Sequence, residues 1–266
     1  MEQVYWPKGH KPGPVALITS RAGRVPGAVI RAHDQRQGMS TMVRETARSA
    51  ARWVFWFTPL RRFMYPKYVY NFTPEQLAFL VGCINKTKPL EGAIYEIGCG
   101  AGCTTLFLNR HLQCSGIKRR YVCIDTFKGF TRSDVSWEIL HRGKKAGDYR
   151  EFAVNSPQWF RYTMRANSCD VVCLPMDVQD YQFREKISFC LVDVDLYKPT
   201  SYALSNLWPV LEPGGIIVVD DCRERNRWDG AYQAYTEFTK TMGLPETVVL
   251  DKLGVVEKAG AALRST

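Results

Sequence analysis

Ala93-Ile94-Tyr95-Glu96-Ile97-Gly98-Cys99-Gly100-Ala101-Gly102-Cys103-Thr104-Thr105-Leu106 is the stretch on which the fold turns. An apolar run passes through Glu96 into three glycines at alternate positions, and Leu106 and Leu108 carry on beyond them. The pattern predicts a strand, a tight glycine turn and a helix. Glycines there let the backbone turn and leave main-chain N–H groups at a helix N-terminus open to a ligand, an arrangement suited to a nucleotide or nucleoside. The spacing Glu-x-Gly-x-Gly-x-Gly differs from the Gly-x-Gly-x-x-Gly of dinucleotide folds, because the third glycine arrives one residue early and an acid precedes the first. Taken alone, the turn also fits a nucleotide fold of another chemistry or a plain strand-to-helix connection.

The stretch resembles the first motif of class I S-adenosylmethionine methyltransferases, which makes Glu96, Gly98, Gly100, Gly102 and Thr104 candidates for cofactor contact. Downstream, Tyr121-Val122-Cys123-Ile124 reads as a second strand ending at Asp125. Asp125 stands where class I folds place the acid that accepts hydrogen bonds from both ribose hydroxyls, and the alternative is an Asp capping a turn. Phe127 follows in the same loop and joins the cofactor candidates. Residues 169–174 read as a third strand, and Asp177 just after it is either an adenine contact or a solvated loop acid. Between them lies an insertion over roughly 131–160 with Trp137, His141, Lys144, Lys145 and Trp159. Loops that leave the carboxyl ends of strands line the ligand crevice of an open α/β sheet, so this insertion is the expected substrate lid.

Two further apolar runs end in acids. Residues 187–192 lead into Asp193-Val194-Asp195, and Ile216-Ile217-Val218-Val219, after the turn residues Pro213-Gly214-Gly215, lead into Asp220-Asp221. If the two strands are parallel neighbours, Asp193, Asp220 and Asp221 meet at the crevice. Crowded carboxylates repel one another unless a cation neutralises them, and all-oxygen ligation favours Mg²⁺ before Mn²⁺ or Ca²⁺. The bland alternative is a set of helix caps and surface acids.

With the segments 95–100, 125–130, 192–200, 213–221 and Trp228-Asp229-Gly230-Ala231 in view, residues 71–258 resemble the macrocin O-methyltransferase (TylF/MycF) family. The resemblance implies a doubly wound, Rossmann-like α/β fold of class I methyltransferase type, with a mostly parallel seven-stranded sheet and an antiparallel last strand. It also implies a Mg²⁺-dependent, S-adenosylmethionine-using O-methyltransferase whose relatives act on sugar or phenolic hydroxyls of natural products. The family's metal aspartates carry over onto Asp193, Asp220 and Asp221, and the first is its proposed general base; His141 in the lid is the second candidate base. A nicotinamide oxidoreductase would share the glycine turn but leave the acids unexplained and lacks a well-placed Tyr-x-x-x-Lys pair. A non-catalytic scaffold would have no use for either feature.

Composition bounds the rest. The 266 residues are 45% hydrophobic, ample for one α/β domain, and no segment approaches the ~20 uncharged apolar residues of a membrane span. Nine scattered cysteines read as free thiols of a reducing compartment, so a cytoplasmic protein is expected. The net charge of +10 is uneven: residues 1–70 hold twelve Lys and Arg against Glu2, Asp34 and Glu45, leaving about +1 beyond. Residues 1–40, rich in Pro and Gly, read as an irregular arm; residues 40–70 read as a basic helix with aromatic neighbours. That segment could pack on the domain or on a second subunit in a homodimer or higher homo-oligomer, cover the site, or rest on an anionic membrane surface. No recognition motif supports nucleic-acid binding. Residues 259–266 read as a loose tail.

Overall fold

The structure, a computed structural model, describes residues 43–59, 61, 67–149, 152 and 154–260. The arm expected over 1–40 and the end of the tail lie outside them. The chain divides into two compact units, residues 1–67 and 68–266. In the first, a helix over residues 43–56 (α1) is exposed on all sides, and Trp53 stacks on Phe57 at 5.7 Å.

The second unit holds a seven-stranded sheet in the order β3-β2-β1-β4-β5-β7-β6. Its strands are β1 (Ala93–Ile97), β2 (Tyr121–Asp125), β3 (Val172–Pro175), β4 (Ile187–Val192), β5 (Leu211–Val219), β6 (Val248–Val249) and β7 (Leu253–Glu257). The pairs from β3 through β5 are parallel, and β7 runs antiparallel to both neighbours. The helices are α2 (Pro74–Lys86), α3 (Cys103–Cys114), α4 (Arg132–Arg142), α5 (Pro157–Ala166), α6 (Tyr197–Val210) and α7 (Asp229–Met242).

β1 and β4 are buried at every residue, which is why they read as apolar runs, interrupted only by Glu96 and Ser188, rather than as alternating ones. Successive side chains serve opposite cores: Ile94, Tyr121, Phe189 and Val218 pack with α2, α3 and α5, and Tyr95, Val122, Cys190 and Val219 pack with α6 and α7. Fully burying a Leu or Phe side chain contributes about 1.5–3 kcal/mol, so this two-sided core supplies the bulk of the stabilisation. Thr73 and Gln76 close α2 with a capping box, and Gln76 Nε2 also donates to Leu250 O at 2.9 Å.

Three local expectations shift. The third strand starts at Val172, not Cys169, and forms a half-buried sheet edge. Pro213-Gly214-Gly215 is not a turn before β5; it lies inside the strand, where the pairing with β4 slips between Ile187↔Leu211 and Phe189↔Ile216, with Gly214 at φ 84°. The insertion over 131–160 holds two helical segments, with α4 capped by Thr131 and α5 opened by Ser156 and Pro157. All nine cysteines are free, Cys114 on the surface and six buried. Among the described residues no helix is long and apolar enough to cross a membrane.

Candidate active site

The strand order reverses between β1 and β4, and an open α/β sheet forms a ligand crevice at the carboxyl ends beside such a switch point. A cavity of about 890 Å³ lies there, near the top of the ~300–1,000 Å³ range of ligand pockets. Glu96, Gly98, Gly100, Thr104, Asp125, Asp177, Asp193, Asp220 and Asp221 all line it.

At one end the wall is the glycine turn. A Cβ on Gly98 would stand 1.8 Å from Asp193 O, so the residue is glycine because β1 and β4 meet there. Gly100, at φ 51°, has nothing within 4 Å of its Cβ position, and its N–H donates to Asp125 Oδ2 at 2.7 Å. Asp125 Oδ1 accepts from Phe127 N at 2.6 Å. The carboxylate therefore ties the end of β2 to the turn while still facing the cavity. Glu96 is buried, with the Tyr121 hydroxyl donating to Oε2 at 2.6 Å; burial pushes its carboxyl up to about 7 against the lowering effect of that hydrogen bond. Asp177 caps a short 3-10 turn, accepting from Gln179 N at 2.9 Å.

At the other end the acids converge by register. Val192 pairs with Val219, so Asp193 and Asp220 follow side by side, and Asp220 N donates to Val192 O at 2.9 Å. The antiparallel pairing of β5 with β7, carried past Val219↔Gly254, brings Lys252 opposite Asp221; Cys222 N donates to Lys252 O at 2.7 Å. Lys252 Nζ stands 2.7 Å from Asp220 Oδ2 and 3.9 Å from Asp221 Oδ1. Asp195, at φ 60°, faces Asp221 and makes a fourth carboxylate. Burial first, and then mutual repulsion, hold Asp193 and Asp195 well above the usual carboxylate range. Burial pushes Asp220 up to about 6 even with Lys252 beside it. Burial opposes the Lys252 charge, yet Asp220, Asp221 and Asp193 outweigh it and keep the ammonium above its ordinary value.

The expected Mg²⁺ ligands are brought to one wall of the cavity without forming a ready site. The three aspartates share one wall, but among the described residues no three His, Cys, Asp or Glu side chains are arranged as a coordination shell, and the nearest cation is Lys252. Three other sequence-derived candidates fall outside the cavity wall. Phe127, at φ 53°, turns its ring into the core against Phe160 at 5.4 Å. Gly102 is close to α5 rather than to a ligand: its Cβ would meet Met164 Cε at 2.7 Å and the Phe160 ring at 2.9 Å. His141 is exposed, stacked on Trp137 at 4.8 Å, with Nδ1 3.1 Å from Trp137 O, one helical turn away.

Sequence reasoning missed Asp195 and Lys252, and also the ionic knot that ties α4 to the starts of α6 and α7. Buried Glu138 accepts from Tyr197 N at 2.8 Å and pairs with Arg142 at 2.7 Å; Arg142 and Lys144 both reach Asp229. Gly230 is required beside it, since a Cβ would stand 2.7 Å from Tyr197 N and 2.8 Å from Glu138 Oε1. The run Trp228-Asp229-Gly230-Ala231 was the only signal of this knot, and nothing local pointed to its partner Glu138.

A family model described as macrocin-O-methyltransferase (TylF) matches residues 66–258. Among solved structures, the O-methyltransferase NovP superposes with a TM-score of 0.58 at 18% identity, covering 70% of this chain and 80% of that one. The calicheamicin methyltransferase CalS11 superposes with a TM-score of 0.57 at 21% identity over the same shares, 70% and 80%. An apo structure of CalS11, described as a TDP-rhamnose 3'-O-methyltransferase, gives 0.51 at 18% identity over 70% and 81%. No curated protein sequence matches significantly. At these identities the structures speak for the fold, whereas the family model spans well over half of the chain. The protein therefore belongs to the macrocin-O-methyltransferase (TylF) family and is an S-adenosylmethionine-dependent O-methyltransferase.

Proposed function

We propose that the protein moves the methyl group of S-adenosylmethionine onto a hydroxyl of a sugar, glycoconjugate or other natural-product acceptor, with Mg²⁺ as its metal. The observation that carries this reading is a single cavity with the glycine turn and Asp125 at one end and Asp193, Asp220 and Asp221 at the other. The turn would seat the cofactor against the open Gly100 backbone, with Asp125 toward the ribose hydroxyls and Asp177 toward the adenine. CalS11, whose description names a sugar nucleotide, supports a sugar acceptor.

Carboxylate oxygens are the donors a hard dication takes, and those present would have to draw together around it. Four carboxylates face one ammonium, and Asp220 Oδ1 is buried with no hydrogen-bond partner. Asp193, Asp220 and Asp221 would hold the ion, which when bound supplies stabilisation of a developing alkoxide. Asp193, at the end of β4 and facing the cavity, takes the proton of the acceptor hydroxyl. Much of the rate then comes from holding oxygen, methyl carbon and sulfur in line beneath the lid.

Titration calorimetry with S-adenosylmethionine and S-adenosylhomocysteine, with and without Mg²⁺ and with NAD as control, tests the assignment. Micromolar binding of the S-adenosyl compounds, tightened or made productive by Mg²⁺, is the expected result. Binding of NAD in their place overturns the cofactor, and activity indifferent to chelation overturns the metal.

A further inference from the structure

The loop that leaves the acid pair reads Cys222-Arg223-Glu224-Arg225-Asn226-Arg227-Trp228, three arginines against one acid. Arg223 and Arg227 line the cavity together with Trp228. The Arg227 guanidinium lies over the Trp228 indole at 4.5 Å. Arg223 is exposed, and among the described residues its guanidinium makes no ion pair or hydrogen bond, although Asp220 and Asp221 stand three and two residues before it; the cation paired with those acids is Lys252. The fold therefore makes no use of the Arg223 charge. The neighbouring wall is aromatic: Trp228 meets Phe130 at 5.4 Å and Phe152 at 6.2 Å, and Phe130 and Phe152 pack edge to face at 5.6 Å. Of these, Phe130, Phe152 and Trp228 line the cavity.

We propose that this side of the crevice binds an acceptor whose ring carries a negatively charged substituent, a phosphate or a carboxylate, with the charge on Arg223 and the ring against Phe130, Phe152 and Trp228. The guanidinium fork matches both anions, and it is the donor fold energetics leave available. Charge also sets the orientation. With the anion anchored on the Arg223 guanidinium and the ring against the aromatic wall, the hydroxyl of the same molecule is the part left to approach Asp193. This inference rests on the methyltransferase reading of the site and narrows it to acidic acceptors.

The test uses the full chain saturated with S-adenosylhomocysteine in Mg²⁺ buffer, titrated by calorimetry with phenyl phosphate, benzoate and the neutral phenyl β-D-glucoside. The anionic probe of the right kind is expected to bind about tenfold or more tighter than the glucoside, the effect of one charged hydrogen-bonded pair. Phenyl phosphate ahead of benzoate assigns a phosphate, and the reverse order assigns a carboxylate. Arg223→Gln should erase the preference and Arg223→Lys should keep part of it, with S-adenosylhomocysteine affinity and melting temperature unchanged in both. Equal binding of charged and neutral probes, no binding of either anion, or a preference that survives in Arg223→Gln overturns the inference. Failure of the wild type to bind S-adenosylhomocysteine at all overturns the methyltransferase reading instead, and is seen before any probe is added.

Discussion

At the β1–β2 end of the crevice the wall is backbone, drawn close by Gly98 and tied by the Asp125 carboxylate to the N–H groups of Gly100 and Phe127; at the β4–β5 end it is side-chain charge, four carboxylates against Lys252. The first end is satisfied as it stands. The second is not, with Asp220 Oδ1 buried and unpartnered and four carboxylates facing one ammonium. A binding surface for an invariant part of the reaction can be rigid and internally complete, whereas a surface that must accept a cation and a proton has to remain electrostatically unfinished. Substitutions at the two ends should therefore fail in different ways.

The largest effect is expected at Gly98. A Cβ 1.8 Å from Asp193 O meets backbone that cannot rotate away, and φ 85° adds strain, so Gly98→Ala should cost at least ~3 kcal/mol in a denaturant melt. Gly100→Ala has open space and φ 51°, so about 1 kcal/mol is expected, with the loss appearing in S-adenosylhomocysteine affinity instead. Equal stabilities for the two variants would erase the distinction between a glycine demanded by strand contact and one facing the ligand.

Asp193→Asn carries the comparison to the charged end. Removing the base should lower kcat about 10²–10⁴-fold while cofactor affinity holds, the inverse of the Gly100→Ala pattern. A variant that loses cofactor affinity and keeps its kcat would assign Asp193 to the wrong end.

Glu96 tests the backbone end by pH. Its carboxyl is raised to about 7 by burial, so the native state holds a proton that the unfolded chain releases near its ordinary value of 4.5. The sign follows: the folded protein gains from Glu96 at low pH and loses that gain as pH climbs from 4.5 through 7. Glu96→Gln keeps an acceptor for the Tyr121 hydroxyl and removes the titration. Its stability relative to wild type should rise between pH 5 and pH 8, by at most about 3 kcal/mol. A pH-independent difference would mean that the carboxylate is ionised throughout.

The same division marks what was legible in the sequence. The strands of the parallel core are largely apolar runs because both faces are covered, and their ends announce themselves with Asp125, Asp193 and Asp220, so the strands themselves could be read directly; the antiparallel ending came from the family resemblance, and the convergence of the acids from supposing that β4 and β5 are parallel neighbours, as they are. Lys252 could not. It reaches the cluster only because Leu250 and Asp251, both at positive φ, turn the hairpin and the β5–β7 register then sets residue 252 beside residue 221. Gly102 was read as a ligand glycine because packing against Phe160 and Met164, some sixty residues on, leaves no trace in its own motif. Phe127 was misplaced for a related reason: its left-handed backbone, with Asp125 accepting from its N–H, turns the ring inward, and a loop sequence does not state which way a side chain points.

The smallest effect should come from His141, the alternative base. Its ring is exposed, stacked on Trp137 with 16° between planes, and its Nδ1 lies within hydrogen-bond distance of a carbonyl of its own helix. Trp137 stacks in turn on Tyr197 at 4.5 Å, so the pile that flanks α4 keeps its inner contact when the imidazole is removed. His141→Ala should shift stability by about 0.5 kcal/mol or less, as exposed substitutions do, and leave kcat and the pH profile of kcat/KM where they were. A fall in kcat of the size expected for Asp193→Asn, together with loss of one limb of the pH profile, would bring the base to α4 and require that helix to swing its outer face into the crevice when substrate binds. In that case the acids at the end of β4 and β5 would keep only the work of holding charge, and the division between the two ends of the crevice would become one between cofactor seat and metal seat, with the proton taken by the lid.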